Sequence, residues 1–325
     1  LSREEDPRAT ALAWARDVTE VARAYWTEAR LLQLARGKTI LLPPVEAAPL
    51  LRALGILRAD GSIPPDRMRK YLQINHMVAV LGPSLSELRA AHPTVRIVDA
   101  GCGKSYLSLL IAWVFRHTHA HPIEVLGVDR NEALIEGVKD IAARAGLGDV
   151  VRHEAAMLGG LDVQAAWRRA FGRDEAIHGV IALHACDTAT DDAIALGVHL
   201  SATLIAVAPC CQAELARGWA ALPASENESA FGAIHRAPHL RRELGANLTD
   251  AMRTLLLRRA GYQVWPIEFV PSEHTPKNTL IRAMRRASGD PSESPADAGR
   301  AYEALVAASG GVGIALGDRI GGALP

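Results

Sequence analysis

The rhythm of apolar and polar positions changes once along this chain. Over residues 4–36, Leu12, Val18, Val21, Ala22, Tyr25, Leu31, Leu32 and Leu34 recur at near-helical spacing, with Arg and Glu between them. Gly37 and Pro43-Pro44 stop that helix. A second helix is predicted over Val45–Leu54 with Gly55 as its cap, and a third from Asp66 to Leu81, ended by Gly82-Pro83. A short helix, Leu85–Ala91, follows, so residues 1–90 read as a helical N-terminal region.

From Val95 the pattern alternates between short apolar runs and amphipathic stretches. The runs predict strands at Val95–Asp99, Glu124–Asp129, Val150–Glu154, Gly179–His184 and Thr203–Ala208. Helices are expected between them, near 104–117, 131–145, 162–170 and 189–199. Such alternation is the signature of an α/β fold with a parallel sheet and right-handed crossovers. After the fifth strand comes a long interval with an Arg-rich helix, Leu240–Ala260. Tyr262–Phe269 and Thr279–Met284 then read as two further strands. The expected domains are residues 1–90, a core of 91–286, and an extension of 287–325 that is partly flexible by its Ser, Gly and Pro content.

In an open α/β sheet, ligands bind outside the carboxyl ends of the strands. The first strand ends in Asp99-Ala-Gly101-Cys102-Gly103-Lys-Ser105, a glycine-rich turn opening a helix. Gly101 and Gly103 let a ligand approach the backbone, because no Cβ is in the way. Asp99, two positions before the first glycine, repels a pyrophosphate and attracts a ligand with an amino group. S-adenosylmethionine is such a ligand. Asp129, at the end of the second strand beside Arg130, is placed to accept hydrogen bonds from both ribose hydroxyls; an N-cap is its competing role, or that of Asn131. Glu154 and Met157, near the end of the third strand, are the candidates for contact with adenine.

The fourth and fifth strands end in His184-Ala-Cys186-Asp187-Thr188 and Pro209-Cys210-Cys211-Gln212. His184 and Asp187 can take a proton from an acceptor, and Cys210 and Cys211 form the other wall of the reacting site. These four are the expected catalytic set. His184 also borders the cofactor, which is otherwise assigned to Asp99, Gly101, Cys102, Gly103, Ser105, Asp129, Arg130 and Glu154. Thr188, Gln212, Lys277 and Asn278 are the expected substrate contacts. A metal site on His184, Cys186, Cys210 and Cys211 is not expected, since no Cys-x-x-Cys pair exists and adjacent cysteines make awkward tetrahedral ligands.

Charge adds a partner. The formal net charge is zero, but residues 1–98 hold 14 Lys/Arg against 10 Asp/Glu, and residues 230–286 hold 10 against 4. Two basic flanks suit an anionic substrate. Arg67, Arg69, Lys70, Arg236, Arg241, Arg242 and Arg253 are the candidate contacts. No run of eighteen apolar residues is present, so no membrane span is expected. The charged start, Leu1-Ser-Arg-Glu-Glu-Asp6, predicts no signal peptide, and its lack of an initiator Met suggests a trimmed N-terminus. The four cysteines lack scaffold-like spacing and point to a reducing, cytoplasmic setting.

The stretches 99–108, 183–191, 208–212 and 275–278 together resemble one methyltransferase-domain family, which includes eukaryotic methyltransferase-like proteins and bacterial relatives. More distantly they are similar to the tRNA 2′-O-methyltransferases that act on the acceptor stem. The resemblance covers about residues 64–286 and implies a Rossmann-like class I fold: a mostly parallel seven-stranded sheet with an antiparallel strand near one edge. It also implies S-adenosylmethionine as donor and RNA (tRNA or rRNA) as substrate. The sequence departs from the tRNA enzymes at Asp187, where they carry glycine, and at Gln212, where they carry histidine; their cysteine-rich N-terminal modules are absent. A small-molecule or protein methyltransferase, with the N-terminal helices as lid, is the alternative, and a non-catalytic cofactor-binding scaffold is a third.

Overall fold

The computed structural model describes residues 7–37, 39–183, 188–209, 212–222, 231–268, 278–286 and 294–323. Its seven strands form one sheet in the order β3-β2-β1-β4-β5-β7-β6, with β7 antiparallel to both neighbours. The expected Rossmann-like class I architecture is therefore present. The chain divides into two compact units, residues 1–157 with 161–175 and residues 158–160 with 176–325.

The first unit begins with α1 (Pro7–Tyr25), α2 (Glu28–Ala35), α3 (Ala48–Ala53) and α4 (Pro65–Ala91). The single helix expected over 4–36 breaks at Trp26-Thr27, where the buried Trp26 indole turns inward and donates to the Gly61 carbonyl at 2.9 Å. Gly61 is required there: it has φ +80°, and a Cβ would sit 2.8 Å from the Val21 carbonyl oxygen. By contrast, α4 runs straight through Pro83, where a stop is predicted. Proline in a helix interior costs about 3 kcal/mol. Leu81, Ser84, Leu85 and Leu88 are all buried around it, and apolar burial on that scale offsets the loss.

The same unit continues with β1 (Val95–Ala100), α5 (Tyr106–Trp113, extended by one π-helical turn), β2 (Ile123–Asp129), α6 (Glu132–Arg144), β3 (Val151–Ala155) and α7 (Val163–Phe171). The strands are parallel, with Val95 opposite Ile123 and Val125 opposite Val151. Burial on both faces explains the apolar runs of β1 and β2, whereas β3, at the sheet edge, is buried only at Val151 and His153. The N-terminal helices lie against this half: Tyr106 Oη donates to the Leu54 carbonyl at 3.4 Å, and Lys70 Nζ stands 3.8 Å over the Tyr106 ring.

The second unit holds β4 (Gly179–Ala182), α8 (Thr188–His199), β5 (Leu204–Val207), α9 (Glu214–Ala221), α10 (Gly232–His235), α11 (Pro238–Arg259), β6 (Tyr262–Glu268), β7 (Thr279–Arg285), α12 (Pro295–Ala308) and α13 (Leu316–Ile320). All of Leu204–Val207 is buried. Tyr262 Oη donates to Ala202 O at 2.9 Å and ties β6 to the start of β5. The C-terminal helices are packed: Leu316 and Ile320 are fully buried, and Trp219 Nε1 donates to Ser309 O at 2.9 Å. Among the described residues no helix is long and apolar enough to cross a membrane.

Candidate functional site

Three parallel strands place one aligned row at the glycine-rich turn. Asp99 of β1 stands opposite Gly127 of β2, and Gly127 stands opposite His153 of β3. The turn itself is closed by backbone bonds. Gly101 and Cys102 N–H both donate to Val128 O, at 2.8 and 3.0 Å, and Ser105 N–H donates to Cys102 O at 2.7 Å. Gly103 N–H donates to Asp129 Oδ2 at 3.0 Å, so β2 grips the turn that follows β1. Gly101 and Gly103 take φ of +75° and +54°, which glycine alone adopts freely. Nothing lies within 4 Å of where a Cβ on Gly103 would be. The turn thus presents open space beside its backbone.

The charge at this turn is negative. Asp99 is buried, and Ser108 Oγ, in the first turn of α5, donates to its Oδ2 at 2.5 Å. Burial pushes the Asp99 carboxyl up to about 7; the Ser108 bond opposes this and the Asp129 charge adds to it. Asp129 is half-buried, and its Oδ1 accepts from Asn131 N–H at 3.0 Å. Asn131 fills the N-cap of α6, accepting from Leu134 N–H at 3.1 Å, so the competing cap role at Asp129 is taken by its neighbour. Two carboxylates beside an open backbone accept an ammonium and hydroxyl donors, and they repel a pyrophosphate. Burial also pushes the Cys102 thiol up, with the charges of Asp99 and Asp129 adding to it, so Cys102 is a packed neutral side chain.

The other assigned residues are placed as follows. Arg130 is exposed beside Asp129. Glu154 is ion-paired with Arg169 of α7, and Met157 beyond it is 63% exposed. In the second unit, Thr188 opens α8, and its carbonyl accepts from Arg319 Nη1 at 2.8 Å. Gln212 is buried and donates to Asp250 Oδ2 at 2.8 Å. Asn278, at the open end of the β6–β7 pair, donates to Glu268 Oε1 at 2.9 Å. His184, Cys186, Asp187, Cys210, Cys211 and Lys277 lie outside the described residues. Among the described residues no group of His, Cys, Asp or Glu is arranged to hold a metal ion.

One expected contact is corrected. Arg253, a candidate for binding an anionic substrate, is fully buried and ion-paired with Asp191 at 2.7 Å and Asp250 at 3.0 Å. Arg241 is partly engaged too, donating to His235 O at 2.8 Å, whereas Arg69, Lys70, Arg236 and Arg242 are exposed.

His153 is the residue that sequence reasoning missed. It is buried, and its Nε2 lies 2.8 Å from Ser105 Oγ. Its ring passes over Gly127, where a Cβ would come 2.8 Å from His153 Cδ2 and 3.0 Å from Cys102 Sγ. Gly127→Ala is therefore expected to lower stability by about 1–3 kcal/mol through overpacking, read as the urea midpoint.

Residues 69–218 match the family model described as a methyltransferase domain. No curated protein matches the chain. Among solved structures, the chain is similar to an SAH-bound methyltransferase from Podospora anserina at 13% identity, over 74% of this chain and 88% of that one, with a TM-score of 0.40. It is similar to the (4+2)-cyclase SpnF at 19% identity, over 39% of this chain and 43% of that one, with a TM-score of 0.29. To the CcbJ methyltransferase from Streptomyces caelestis the identity is 17%, over 44% of this chain and 52% of that one, with a TM-score of 0.29. The chain thus spans about half the length of the last two.

Proposed function

We propose, from the premise that residues 69–218 are the methyltransferase domain of an S-adenosylmethionine-dependent enzyme, that the turn of residues 99–105 is its cofactor cradle and that RNA is the methyl acceptor. The observation that carries the cradle is the pair of carboxylates, Asp99 and Asp129, on either side of a turn whose backbone is open at Gly103. Asp99 meets the amino group of the cofactor, and Asp129 the ribose hydroxyls. Bound there, the cofactor supplies a methyl group on a positively charged sulfur, open to in-line displacement by an aligned acceptor. His184 and Asp187, which follow β4 in the chain, are the candidates to take the acceptor's proton.

The RNA reading rests on charge. Arg69 and Lys70 are exposed on α4, Arg236 and Arg242 are exposed around α10 and α11, and none of the four has a carboxylate partner among the described residues. Such cations hold a nucleic acid through its phosphates. Incubation with tritiated-methyl cofactor and fractionated cell pools tests it. Label is expected in RNA, with an affinity for total RNA that falls steeply with salt. Label in protein or in small metabolites instead would replace RNA with that acceptor class.

A further inference from the structure

Ser105 stands in the turn where its own backbone is least comfortable. It has φ +53° and ψ +26°, the left-handed region that favours glycine, and it is fully buried. Its hydroxyl is 2.8 Å from His153 Nε2. His153 comes from β3, two strands away, and reaches Ser105 because Gly127 between them has no side chain to block the ring. Burial, with Lys139 adding to it, holds the imidazole down at about 4, so the ring is neutral and forms an ordinary hydrogen bond with the hydroxyl at physiological pH.

We infer that His153 is a positioning residue for the cofactor cradle: by holding Ser105 Oγ it keeps the 101–105 turn in the form whose backbone is open to the cofactor. This rests on the reading of that turn as the cradle. Both His153 and the Ser105 hydroxyl it meets are buried, so the role assigned to His153 is to hold the turn and not to take part in the chemistry. A glycine at 105 would adopt the same φ without restraint, which makes the serine and the histidine a coupled pair. The bond from Gly103 N–H to Asp129 ties the same turn to β2, and the His153–Ser105 bond ties it to β3.

A double-mutant cycle on the full chain tests this, with binding of S-adenosylmethionine measured by titration calorimetry and folding checked by thermal melting. In the wild-type background His153→Ala is expected to weaken binding about tenfold or more. In a Ser105→Gly background the same substitution is expected to cost less than threefold, because glycine needs no holding. An equal cost in both backgrounds overturns the inference, since His153 would then act by packing alone. Should His153→Ala fail to fold, Ser105→Ala decides: alanine, like serine, disfavours the left-handed region but has no hydroxyl for His153 to hold, and it is expected to weaken binding as His153→Ala would. Wild-type affinity in Ser105→Ala overturns the inference while leaving the cradle intact. Absence of binding by the wild-type chain overturns the cradle itself, and this inference with it.

Discussion

Replacing Asp99 with asparagine is expected to raise the melting temperature of the cofactor-free protein and to weaken S-adenosylmethionine binding by about 100-fold or more. Both effects come from one buried carboxylate. Asp99 titrates near 7 in the folded chain, against an ordinary value of 3.8, because burial disfavours its charged form. The folded state therefore binds this proton more tightly than the unfolded state. Its contribution to stability is complete below about pH 4 and is lost as pH rises to about 7; above that, the ionised group is a standing cost. One pKa unit is about 1.4 kcal/mol, so asparagine, which still accepts from Ser108, is expected to return on the order of 1–3 kcal/mol at pH 8. The ligand's ammonium reverses the balance, since it needs the carboxylate ionised. Wild-type affinity is then expected to be about tenfold weaker at pH 6 than at pH 8, with a proton released on binding at the lower pH. The asparagine variant loses this pH dependence. Melting curves and calorimetry at the two pH values check it; a variant that melts lower and binds as wild type does would refute the role of Asp99.

The features that were legible in the sequence are those set by local pattern. The strands fall within a residue or two of their expected bounds because each is either a short buried run or an alternating one, flanked by turn residues. The glycine turn and the acidic ends of β1 and β2 were legible because spacing alone brings Asp99, Gly103 and Asp129 together once the strands are parallel neighbours. What escaped depends on partners distant in sequence. The break at Trp26 is made by Gly61, 35 residues on, and the passage of α4 through Pro83 is decided by the burial around it. Helices α9 and α10 lie in an interval where only the Arg-rich helix, Leu240–Ala260, was read. His153 was not singled out, since nothing local marks its bond to Ser105, 48 positions away. Two signals were available. Ser105 occupies a turn position where glycine is commoner, and β2 carries a glycine, Gly127, in the middle of a buried strand, which marks a close approach. Together they pointed to a side chain crossing β2 toward the turn.

Arg253 shows the opposite failure, a charge read as exposed because charges usually are. Its guanidinium is fully buried on α11, with Nε donating to Asp191 on α8 and Nη1 to Asp250 one turn back. Asp250 in turn accepts from Gln212, which follows β5. The carboxylates hold the Arg253 pKa above its ordinary value in spite of burial, so the cation stays charged. Arg253→Leu leaves Asp191 buried with no counter-charge and is expected to cost about 3–5 kcal/mol, read as a fall in the urea midpoint. Arg253→Lys is expected to lose part of this, because one ammonium cannot fork between two carboxylates as a guanidinium does. Adding Asp191→Leu to Arg253→Leu removes the orphaned charge and is expected to recover some of the loss. The same variants separate this role from phosphate binding. A surface arginine that grips RNA, once removed, leaves the urea midpoint unchanged and lowers the salt dependence of RNA affinity by about one counterion. Arg253 is expected to do the reverse: its loss moves the midpoint, while Arg69 and Lys70, exposed on α4, carry the salt dependence.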